Sequence, residues 1–425
     1  MPIYIYKGNS QISTNAVRNE RAVKVIYAKE QGKDAVCVWG IDTSIPYDQM
    51  FTYSITDNKV TITGLKPEVK TAYITIPNTI SNKQVDSIAA SAFEDKTKII
   101  NIIIPDSVTS IGGNAFRDCN SLTNITIPDS VTSIGMMAFH GTAWYNNQPN
   151  GLVYAGKVAY GYKGTMPSNT SIILKEGTLG IGDYIFAWNN DRLTSVTIPD
   201  SVTNIGIHAF ENCKGLTSVT ISDSVPSIGN YAFAGCTGLT SITIPNGVTS
   251  IGENAFEGCT GLTTVNWNAT ACTNAGQTSI NSARPIFQEC SNLTTVNIGD
   301  NVKIIPPWAF YNCTGLTSVT IPNSVTSIGD LAFRSCTGLM NIIIPDSVTS
   351  IGGNAFSDCT GLTSVTIGTG VTSIDSFAFY RCSSLTSITF NGTKEQWSAI
   401  SKGTSWNSYT GNYTIHCTDG DIPKS

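Results

Sequence analysis

The chain has 425 residues, of which only 13% are charged, and its formal net charge is −5. An acidic chain without a basic run lacks the electrostatic footprint of a nucleic-acid-binding protein. No stretch approaches the roughly 18 consecutive apolar residues that a membrane-spanning helix requires.

Residues 1–50 differ in composition from the rest of the chain. Charged residues from Arg18 to Asp34 surround short β-like runs at Ala22–Ala28 and Ala35–Trp39. We interpret residues 1–50 as a small N-terminal β-rich module, which faintly resembles the β appendages of prophage-encoded structural proteins. The start of the chain, Met1–Gly8, has neither a charged lead-in nor a continuous apolar core, so it does not indicate a secretory signal.

A segment of about 23 residues then recurs over residues 51–390, and its most regular landmark is a phenylalanine. This residue recurs as Phe93, Phe116, Phe139, Phe186, Phe210, Phe233, Phe256, Phe287, Phe310, Phe333, Phe356 and Phe379. Eight of the eleven intervals are 23 residues long. Repeats of this length cannot bury their own apolar side and must stack on their neighbours. The sequence therefore predicts a mostly β solenoid of about twelve repeats.

One copy, Leu216–Cys236, illustrates the pattern within a repeat. Leu216, Val219 and Ile221 have strand spacing, and proline or glycine with aspartate or asparagine then indicates a turn. After a second short extended piece, the Ala232-Phe233-x-x-Cys236 spacing predicts a helical turn. Stacking places the phenylalanines in a column whose rings contact each other.

Two insertions interrupt the period. Residues 144–171 contain a hairpin pattern and concentrate aromatic residues, including Trp144, Tyr145 and Tyr162. These side chains predict either a contact surface, because tryptophan and tyrosine dominate binding hot spots, or a cover over neighbouring repeats. The second insertion, residues 268–285, is polar and predicts a loop. Terminal covers are expected at a hairpin over Tyr53–Gly64 and in residues 391–425, whose last eight residues we expect to form a frayed tail.

The repeat Leu-Thr-Ser-Val-Thr-Ile-Pro-x-x-Val-x-x-Ile-Gly-x-x-Ala-Phe-x-x-Cys resembles the BspA-like subfamily of leucine-rich repeat proteins. The resemblance covers about residues 52–390 and implies a surface protein that engages host proteins or other cells. Serine or glycine, not asparagine, follows the acidic turn residue, so we expect no asparagine ladder. The surface role implied by the resemblance conflicts with the start of the chain, which shows no export signal.

Nine of the twelve cysteines lie three residues after the repeat phenylalanine. They are Cys119, Cys213, Cys236, Cys259, Cys290, Cys313, Cys336, Cys359 and Cys382. A spacing of one cysteine per repeat gives a single column instead of a tetrahedral metal cluster, so we expect buried free thiols. The acidic turn residues, such as Asp223 and Asp346, are expected to bond nearby backbone rather than calcium.

The sequence shows no convergent catalytic group: His140, His208 and His416 are isolated, and we predict neither an enzyme nor a cofactor. We predict a binding or adhesion scaffold for a host or neighbouring-cell protein or a glycoconjugate. The alternative is a structural or receptor-recognition component of a phage-like particle. Besides the first insertion, a variable position directly before the repeat alanine, occupied by Tyr231 and Trp308 among others, is the second candidate contact surface. The side chains at this position predict either a binding ridge or a cover that lies flat over the helical turn of the next repeat. The outward strand positions are monotonous serines and threonines, broken by Ile103 and Ile343.

Overall fold

The computed structural model describes residues 5–7, 10–12, 25–28, 36–39, 47–187, 190–276 and 285–424. The chain divides into two compact units. The first comprises Met1–Pro149 with Ala155–Lys157, and the second comprises Asn150–Tyr154 with Val158–Ser425. Both are β-solenoids, as the repeat predicts.

The first unit begins with short antiparallel pairs and continues with two parallel ladders. Ile5–Lys7 pairs with Ser10–Ile12, and Val25–Ala28 pairs with Val36–Trp39. A short helix, Tyr47–Met50, precedes the hairpin of Phe51–Thr56 and Lys59–Leu65. The first ladder contains Tyr73–Thr75, Asn101–Ile103 and Asn124–Thr126. The second contains Lys59–Leu65, Lys83–Ile88, Ser110–Ile111 and Ser133–Ile134, with Thr79–Ile80 paired to Lys83–Ile88. Helix Ala143–Asn146 follows.

The second unit repeats the same two ladders with interruptions, so that among its described residues the first runs as three separate sheets and the second as two. The first ladder of each repeat uses Thr170–Ile173, Leu193–Thr197, Ser218–Val219, Ser241–Ile244, Thr264–Trp267, Thr295–Ile298, Ser318–Thr320, Asn341–Ile344, Ser364–Ile367, Ser387–Phe390 and Thr414–Cys417. The second uses Gly151–Ala155, Val158–Lys163, Gly180–Ile181, Asn204–Ile205, Ser227–Ile228, Ser250–Ile251, Asn274–Ala275, Ile304–Ile305, Ser327–Ile328, Ser350–Ile351, Ser373–Ile374 and Ser401–Lys402. Serine pairs with serine and isoleucine with isoleucine along it, as in Ser227–Ile228 beside Ser250–Ile251. Equivalent positions therefore stack in register.

The third side of each repeat is a run of overlapping turns, so the expected helical turn at Ala-Phe-x-x-Cys is wrong. In the repeat Tyr231–Cys236, the amides of Tyr231, Phe233 and Gly235 donate to the next repeat, whereas those of Ala232, Ala234 and Cys236 donate three residues back. A helix would keep all of these bonds along its own axis. Tyr231 and Gly235 have left-handed φ values of 54° and 69°, which end any right-handed helix. We call this side the turn edge.

The phenylalanines form the predicted columns. In the first unit Phe93, Phe116 and Phe139 stack at centroid distances of 5.0 and 5.5 Å, nearly parallel. In the second unit the steps from Phe186 to Phe379 are 5.0–5.9 Å. Offset stacking at this distance adds a ring contact to the burial of each side chain. Every one of these phenylalanines has no exposed area.

Perpendicular aromatic rings cover ends of these columns. Phe51 and Trp144 meet the two ends of the first unit's column, at centroid distances of 6.4 and 5.2 Å from Phe93 and Phe139. In the second unit Trp406 lies 6.2 Å from Phe379 in the same edge-on manner. An uncovered end would leave an aromatic face in water, so these rings serve as the caps that a stacked array needs.

Hydroxyl and carboxylate side chains connect consecutive repeats. Thr349 donates both its amide and its hydroxyl to the carbonyl of Thr326, at 2.8 and 3.1 Å, and Thr372 does the same to Thr349. Threonine is therefore abundant not only because it suits outward strand positions but also because its hydroxyl bonds to the preceding repeat. Asp183, Asn230 and Asp330, which follow the repeat glycine, each accept from an amide of the following repeat.

The acidic turn residues also act between repeats. Asp223 accepts from the amide of Asn246, and Asp346 accepts from that of Thr369. The expectation that these carboxylates accept hydrogen bonds from the backbone is confirmed, but the donating amides belong to the next repeat.

The C-terminal segment closes the second unit. Helix Lys394–Ala399 begins with a capping box between Thr393 and Gln396. The predicted frayed tail is wrong, because Gly420–Pro423 pairs antiparallel with Thr414–Cys417. Asp419 accepts from the amide of Lys394 and so fixes the turn between these strands.

The two insertions both contribute strands to the fold. The first insertion contains the expected hairpin, Gly151–Ala155 with Val158–Lys163. The second carries the ladder strand Asn274–Ala275, and its residues 277–284 lie outside the described residues. A boundary at residue 50, and a module spanning residues 1–50, stay predictions, since most of that segment also lies outside the described residues.

Candidate functional site

The turn edge presents side chains from a strained backbone position. The residue two positions before each repeat phenylalanine has a φ between 53° and 65° in every described repeat that does not place proline there. The set is Ser91, Asn114, Met137, Tyr184, His208, Tyr231, Asn254, Trp308, Leu331, Asn354 and Phe377. Asparagine tolerates the left-handed region, whereas bulky side chains occupy it at a cost of about 1 kcal/mol or more. Several repeats therefore place bulky side chains in a backbone region that asparagine adopts more readily.

A second left-handed position lies two residues after the repeat phenylalanine. It is occupied by Asp95, Asp118, Gly141, Asn212, Gly235, Gly258, Glu289, Asn312, Ser335, Asp358 and Arg381, with φ between 56° and 76°. Together with the residue directly after each phenylalanine, these positions form the remainder of the turn edge. Their side chains vary widely while the backbone stays constant.

Three rings stack along the turn edge of the second unit. The ring of His208 lies 4.3 Å from Tyr184 and 4.7 Å from Tyr231, at interplanar angles of 20° and 3°. Its Nδ1 atom lies 2.9 Å from Oε2 of Glu211. Burial raises the pKa of the neighbouring Asp183 carboxyl, although its bond from the Ile207 amide and the charge of His208 act in the opposite direction. Stacking covers both faces of the His208 ring and one face of each tyrosine ring.

A second aromatic group lies in the C-terminal repeats of the same edge. Phe377 and Tyr409 each contact Tyr380 edge-on at 5.4 Å, and Tyr409 is 73% exposed. The guanidinium of Arg381 lies 5.2 Å from the ring of Tyr380. One unit of the solenoid thus exposes aromatic and cationic groups side by side, the combination typical of binding hot spots.

Between this group and Trp308 lies an arginine–aspartate bridge. Arg334 Nε is 3.2 Å from Asp358 Oδ2, and the Arg381 guanidinium is 3.8 Å from Asp358 Oδ1. Arg334 also lies 5.9 Å from the ring of Tyr311, which contacts Trp308 at 5.1 Å. From Trp308 to Tyr409 the turn edge therefore presents two aromatic clusters, and the ion pairs of Asp358 with Arg334 and Arg381 lie between them.

The structure separates the five aromatic residues predicted from the sequence. Tyr231 and Trp308 lie on the turn edge of the second unit, half-buried. Trp144 and Tyr145 lie in helix Ala143–Asn146 of the first unit, where Trp144 covers Phe139. Tyr162 packs against the core of the second unit. These positions favour a cover function for Trp144 and Tyr162, and their assignment as ligand contacts stays a prediction.

Sequence reasoning missed Tyr380, Arg381 and Tyr409. These residues follow the repeat phenylalanine or occupy the second left-handed position, which the helical interpretation treated as an ordinary surface. A signal was present: the residue after the phenylalanine varies as widely as the one before the alanine, for example Glu211, Tyr311 and Arg334.

The strand face offers less contact area. Ser241 and Thr243 are exposed and alternate with buried Ile242 and Ile244, as predicted. Ile103 is 41% exposed and Ile343 is 63% exposed, and they interrupt the hydroxyls as expected. Ile173 and Met340 add exposed apolar area that the sequence analysis did not identify, at 76% and 60%.

The repeat cysteines line the interior. All nine are buried, and Cys236, Cys259 and Cys382 each donate to a phenylalanine carbonyl of the preceding repeat at 3.1 Å. Burial raises the pKa of the Cys119 thiol to about 11 and those of Cys213 and Cys359 to about 12. Protonated, buried thiols are poor nucleophiles and poor metal ligands. Among the described residues, no group of three or more histidine, cysteine, aspartate or glutamate side chains is arranged to hold a metal ion.

The described part of the chain also contains no helix long and apolar enough to cross a membrane.

Comparison with known proteins agrees with the repeat. A family model for the BspA-type leucine-rich repeat region matches residues 86–187, 179–283 and 278–401. A search of curated proteins found no match.

Several solved structures are similar in sequence. A leucine-rich repeat protein from Bacteroides ovatus is 28% identical, covering 88% of this chain and 100% of that one, with a TM-score of 0.46. A leucine-rich cell surface protein from Faecalibacterium prausnitzii is 28% identical over 83% of this chain and 96% of that one, with a TM-score of 0.35. A leucine-rich repeat protein from Eubacterium ventriosum is 24% identical over 71% and 90%, with a TM-score of 0.34.

Proposed function

The chain belongs to the BspA-type leucine-rich repeat family, and we propose that it is a non-enzymatic adhesion scaffold that binds its partner through the turn edge of its second unit. Leucine-rich repeat proteins are generally protein-binding scaffolds. The partner is a host or neighbouring-cell protein or a glycoconjugate, and the site of action is the cell surface or the extracellular space.

The observation that carries this proposal is the occupancy of the left-handed positions. Asn114, Asn254 and Asn354 show that asparagine, which tolerates this backbone, is compatible with the fold. Tyr231, Trp308 and Phe377 occupy the same position in other repeats despite the strain. These side chains lower the stability of the fold and add exposed aromatic area, which favours a role in contact with another molecule.

The geometry favours a protein partner over a sugar. A sugar ring stacks on an exposed aromatic face, whereas in the Tyr184–His208–Tyr231 group both faces of the histidine ring and one face of each tyrosine ring are covered. Ring edges and tyrosine hydroxyls suit the mixed polar and apolar surface of a protein. The alternative function, a component of a phage-like particle, predicts tail or capsid genes beside the gene for this chain.

A binding experiment tests the proposal. The purified chain is first screened against host cells, matrix proteins and a glycan array to supply a partner. Tyr231→Ala with Trp308→Ala is expected to weaken binding at least tenfold, since anchor residues are worth about 2 kcal/mol each. The matched control is the triple change of Thr220, Thr243 and Thr320 to alanine on the strand face. If the control weakens binding and the aromatic pair does not, the strand face is the site and the proposal fails.

A further inference from the structure

The turn edge of the second unit changes its chemistry along its length. Glu211, Glu257 and Glu289 lie on its N-terminal half, whereas Arg334 and Arg381 lie on its C-terminal half, with Asp358 between the two arginines. Each repeat advances the edge by a nearly constant step, because the phenylalanine centroids beneath it are 5.0–5.9 Å apart. Positions on two such edges can therefore meet in register.

We propose that the partner bound at this edge is a second copy of the chain, related by a two-fold axis that passes between Phe287 and Phe310. This inference rests on the proposed function, because it names the partner of the same surface. The axis sets the two edges antiparallel, so that each repeat before the axis faces the equivalent repeat after it. An interface of this kind uses the same patch on both copies and closes at a dimer.

The residues that follow each phenylalanine match across this axis. Glu257 faces Arg334 of the second copy, three repeats along the chain from it. Glu211 faces Tyr380, beside which Arg381 is 61% exposed. Because the contact is two-fold, each of these pairs occurs twice. The arrangement brings opposite charges together and places a tyrosine hydroxyl against a carboxylate.

The other facing pairs add little to the charge match. Ala234 faces Ser357, but both are buried in the monomer, with 6% and 1% exposure, so this pair makes no contact across the axis. Tyr311 faces Gln288, and His208 faces Phe377. The self-complementarity of the patch therefore depends on its charges.

The area predicts a weak, reversible dimer. Ten repeats at these steps give an edge roughly 50 Å long, and with a breadth of about 12 Å it buries on the order of 600 Å² per copy, against roughly 800 Å² for a standard interface. Asp358 further reduces the net charge of the arginines. We therefore expect dimerisation that depends on concentration and weakens as salt rises.

Charge reversal tests the register. Sedimentation and light scattering of the full chain over a wide concentration range are expected to show monomer and dimer. Glu257→Arg alone and Arg334→Glu alone each place like charges together twice per dimer, and each is expected to weaken dimerisation about tenfold or more. The double variant restores an opposite pair at both places and is expected to dimerise like the unchanged chain. The two positions are three repeats apart within one chain, so this recovery cannot come from a contact inside the monomer.

A matched control separates the dimer from local damage. Arg117 occupies the same repeat position in the first unit and also lies 3.2 Å from a neighbouring aspartate, Asp118. Arg117→Glu is expected to leave dimerisation unchanged, and melting temperatures of all variants report any loss of folding. A chain that stays monomeric at every concentration, or a dimer that ignores the single reversals, or a double variant that does not recover, overturns the inference.

The outcomes also distinguish this inference from the proposed function. If the chain is monomeric while Tyr231→Ala with Trp308→Ala still abolishes binding to another protein, the turn edge binds a different partner and only the inference fails. If the charge swap recovers dimerisation while neither aromatic change affects binding to cells or proteins, the second copy is the partner and the wider proposal fails.

Discussion

The thiol of Cys236 donates a hydrogen bond of 3.1 Å to the carbonyl of Phe210, one repeat earlier. The same bond recurs from Cys259 to Phe233 and from Cys359 to Phe333, also at 3.1 Å. The carbonyl of Phe210 also accepts from the amide of Cys213 at 3.1 Å, so the thiol adds a second, weaker donor to an acceptor that is already paired. Cysteine supplies a small apolar side chain with a weak donor, so one residue type both fills the column and links consecutive repeats.

Alkaline pH is expected to destabilise the fold through these thiols. Burial raises the pKa of Cys359 to about 12, above its ordinary value of 9.0, because the thiolate is poorly solvated inside the core. As pH rises above 9 the unfolded chain loses this proton while the folded chain keeps it, so stability falls until the pH passes about 12. Each such thiol contributes a slope of up to about 1.4 kcal/mol per pH unit.

Denaturant unfolding at several pH values from neutral to alkaline measures this slope. Cys359→Ala removes one titrating group and is expected to reduce the slope, with a modest loss of stability at neutral pH. A free energy of unfolding that stays level or rises through this range would contradict the buried thiol column.

Truncation inside the phenylalanine column is expected to be costly and local. Phe233 has no exposed area and stacks on Phe210 and Phe256 at 5.0 and 5.2 Å. Phe233→Ala should reduce the free energy of unfolding by about 3–5 kcal/mol, because it removes a large buried ring and leaves a cavity. Hydrogen exchange should quicken mainly in the adjacent repeats, since contacts join nearest neighbours.

A matched aromatic truncation on the surface provides the control. Tyr409 is 73% exposed, so Tyr409→Ala should change stability by about 0.5 kcal/mol or less. Uniformly faster exchange over the whole second unit in Phe233→Ala would show that the repeats unfold as one block instead.

The sequence was sufficient for the ladders and the core but not for the turn edge. The recurrence of Phe233, Val225 and Ile228 every 23 residues fixes which side chains face inward and which repeats stack. The spacing of Ala232, Phe233 and Cys236 fits a helical turn equally well, and only the backbone dihedrals exclude it. The available signal was asparagine at positions such as Asn254 and glycine at positions such as Gly235, which favour left-handed backbone.

The same limit explains the partial prediction of the candidate site. Tyr231 and Trp308 were identified because they break an asparagine-rich column. Tyr380 and Tyr409 were not, because the helical interpretation placed them on a different surface, and their contact joins residues from consecutive repeats. The spacing of residues in the sequence identifies which positions stack on each other, whereas the side chains that meet around a turn are set by the backbone dihedral angles.

The strain at the left-handed position predicts opposite effects of two exchanges. Phe377 has a φ of 61° and is 37% exposed, so Phe377→Asn should raise the free energy of unfolding by about 0.5–1 kcal/mol. Asn354 has a φ of 54° at the equivalent position one repeat earlier, and Asn354→Phe should lower it by about 1 kcal/mol. Thermal unfolding of both variants measures the difference. If both exchanges change stability in the same direction, the left-handed backbone is not the source of the effect.

Of the two tryptophans predicted as ligand contacts, Trp144 is expected to contribute more to the free energy of unfolding than Trp308. Trp144 covers the end of the first unit's phenylalanine column, 5.2 Å from Phe139, and its amide donates to the carbonyl of Leu122. Trp308 is half-buried on the turn edge and contacts Tyr311, and it does not cover an end of the phenylalanine column.

Trp144→Ala should therefore lower the free energy of unfolding by about 3 kcal/mol, because it exposes the column end and also loses the buried area of the tryptophan itself. Trp308→Ala should lower it by about 1–2 kcal/mol, because a half-buried ring is lost but no column end is exposed. Local hydrogen exchange near Phe116 and Phe139 should quicken in the first variant and stay unchanged in the second. Equal losses of stability in the two variants would place both tryptophans among the structural covers and remove Trp308 from the candidate binding surface.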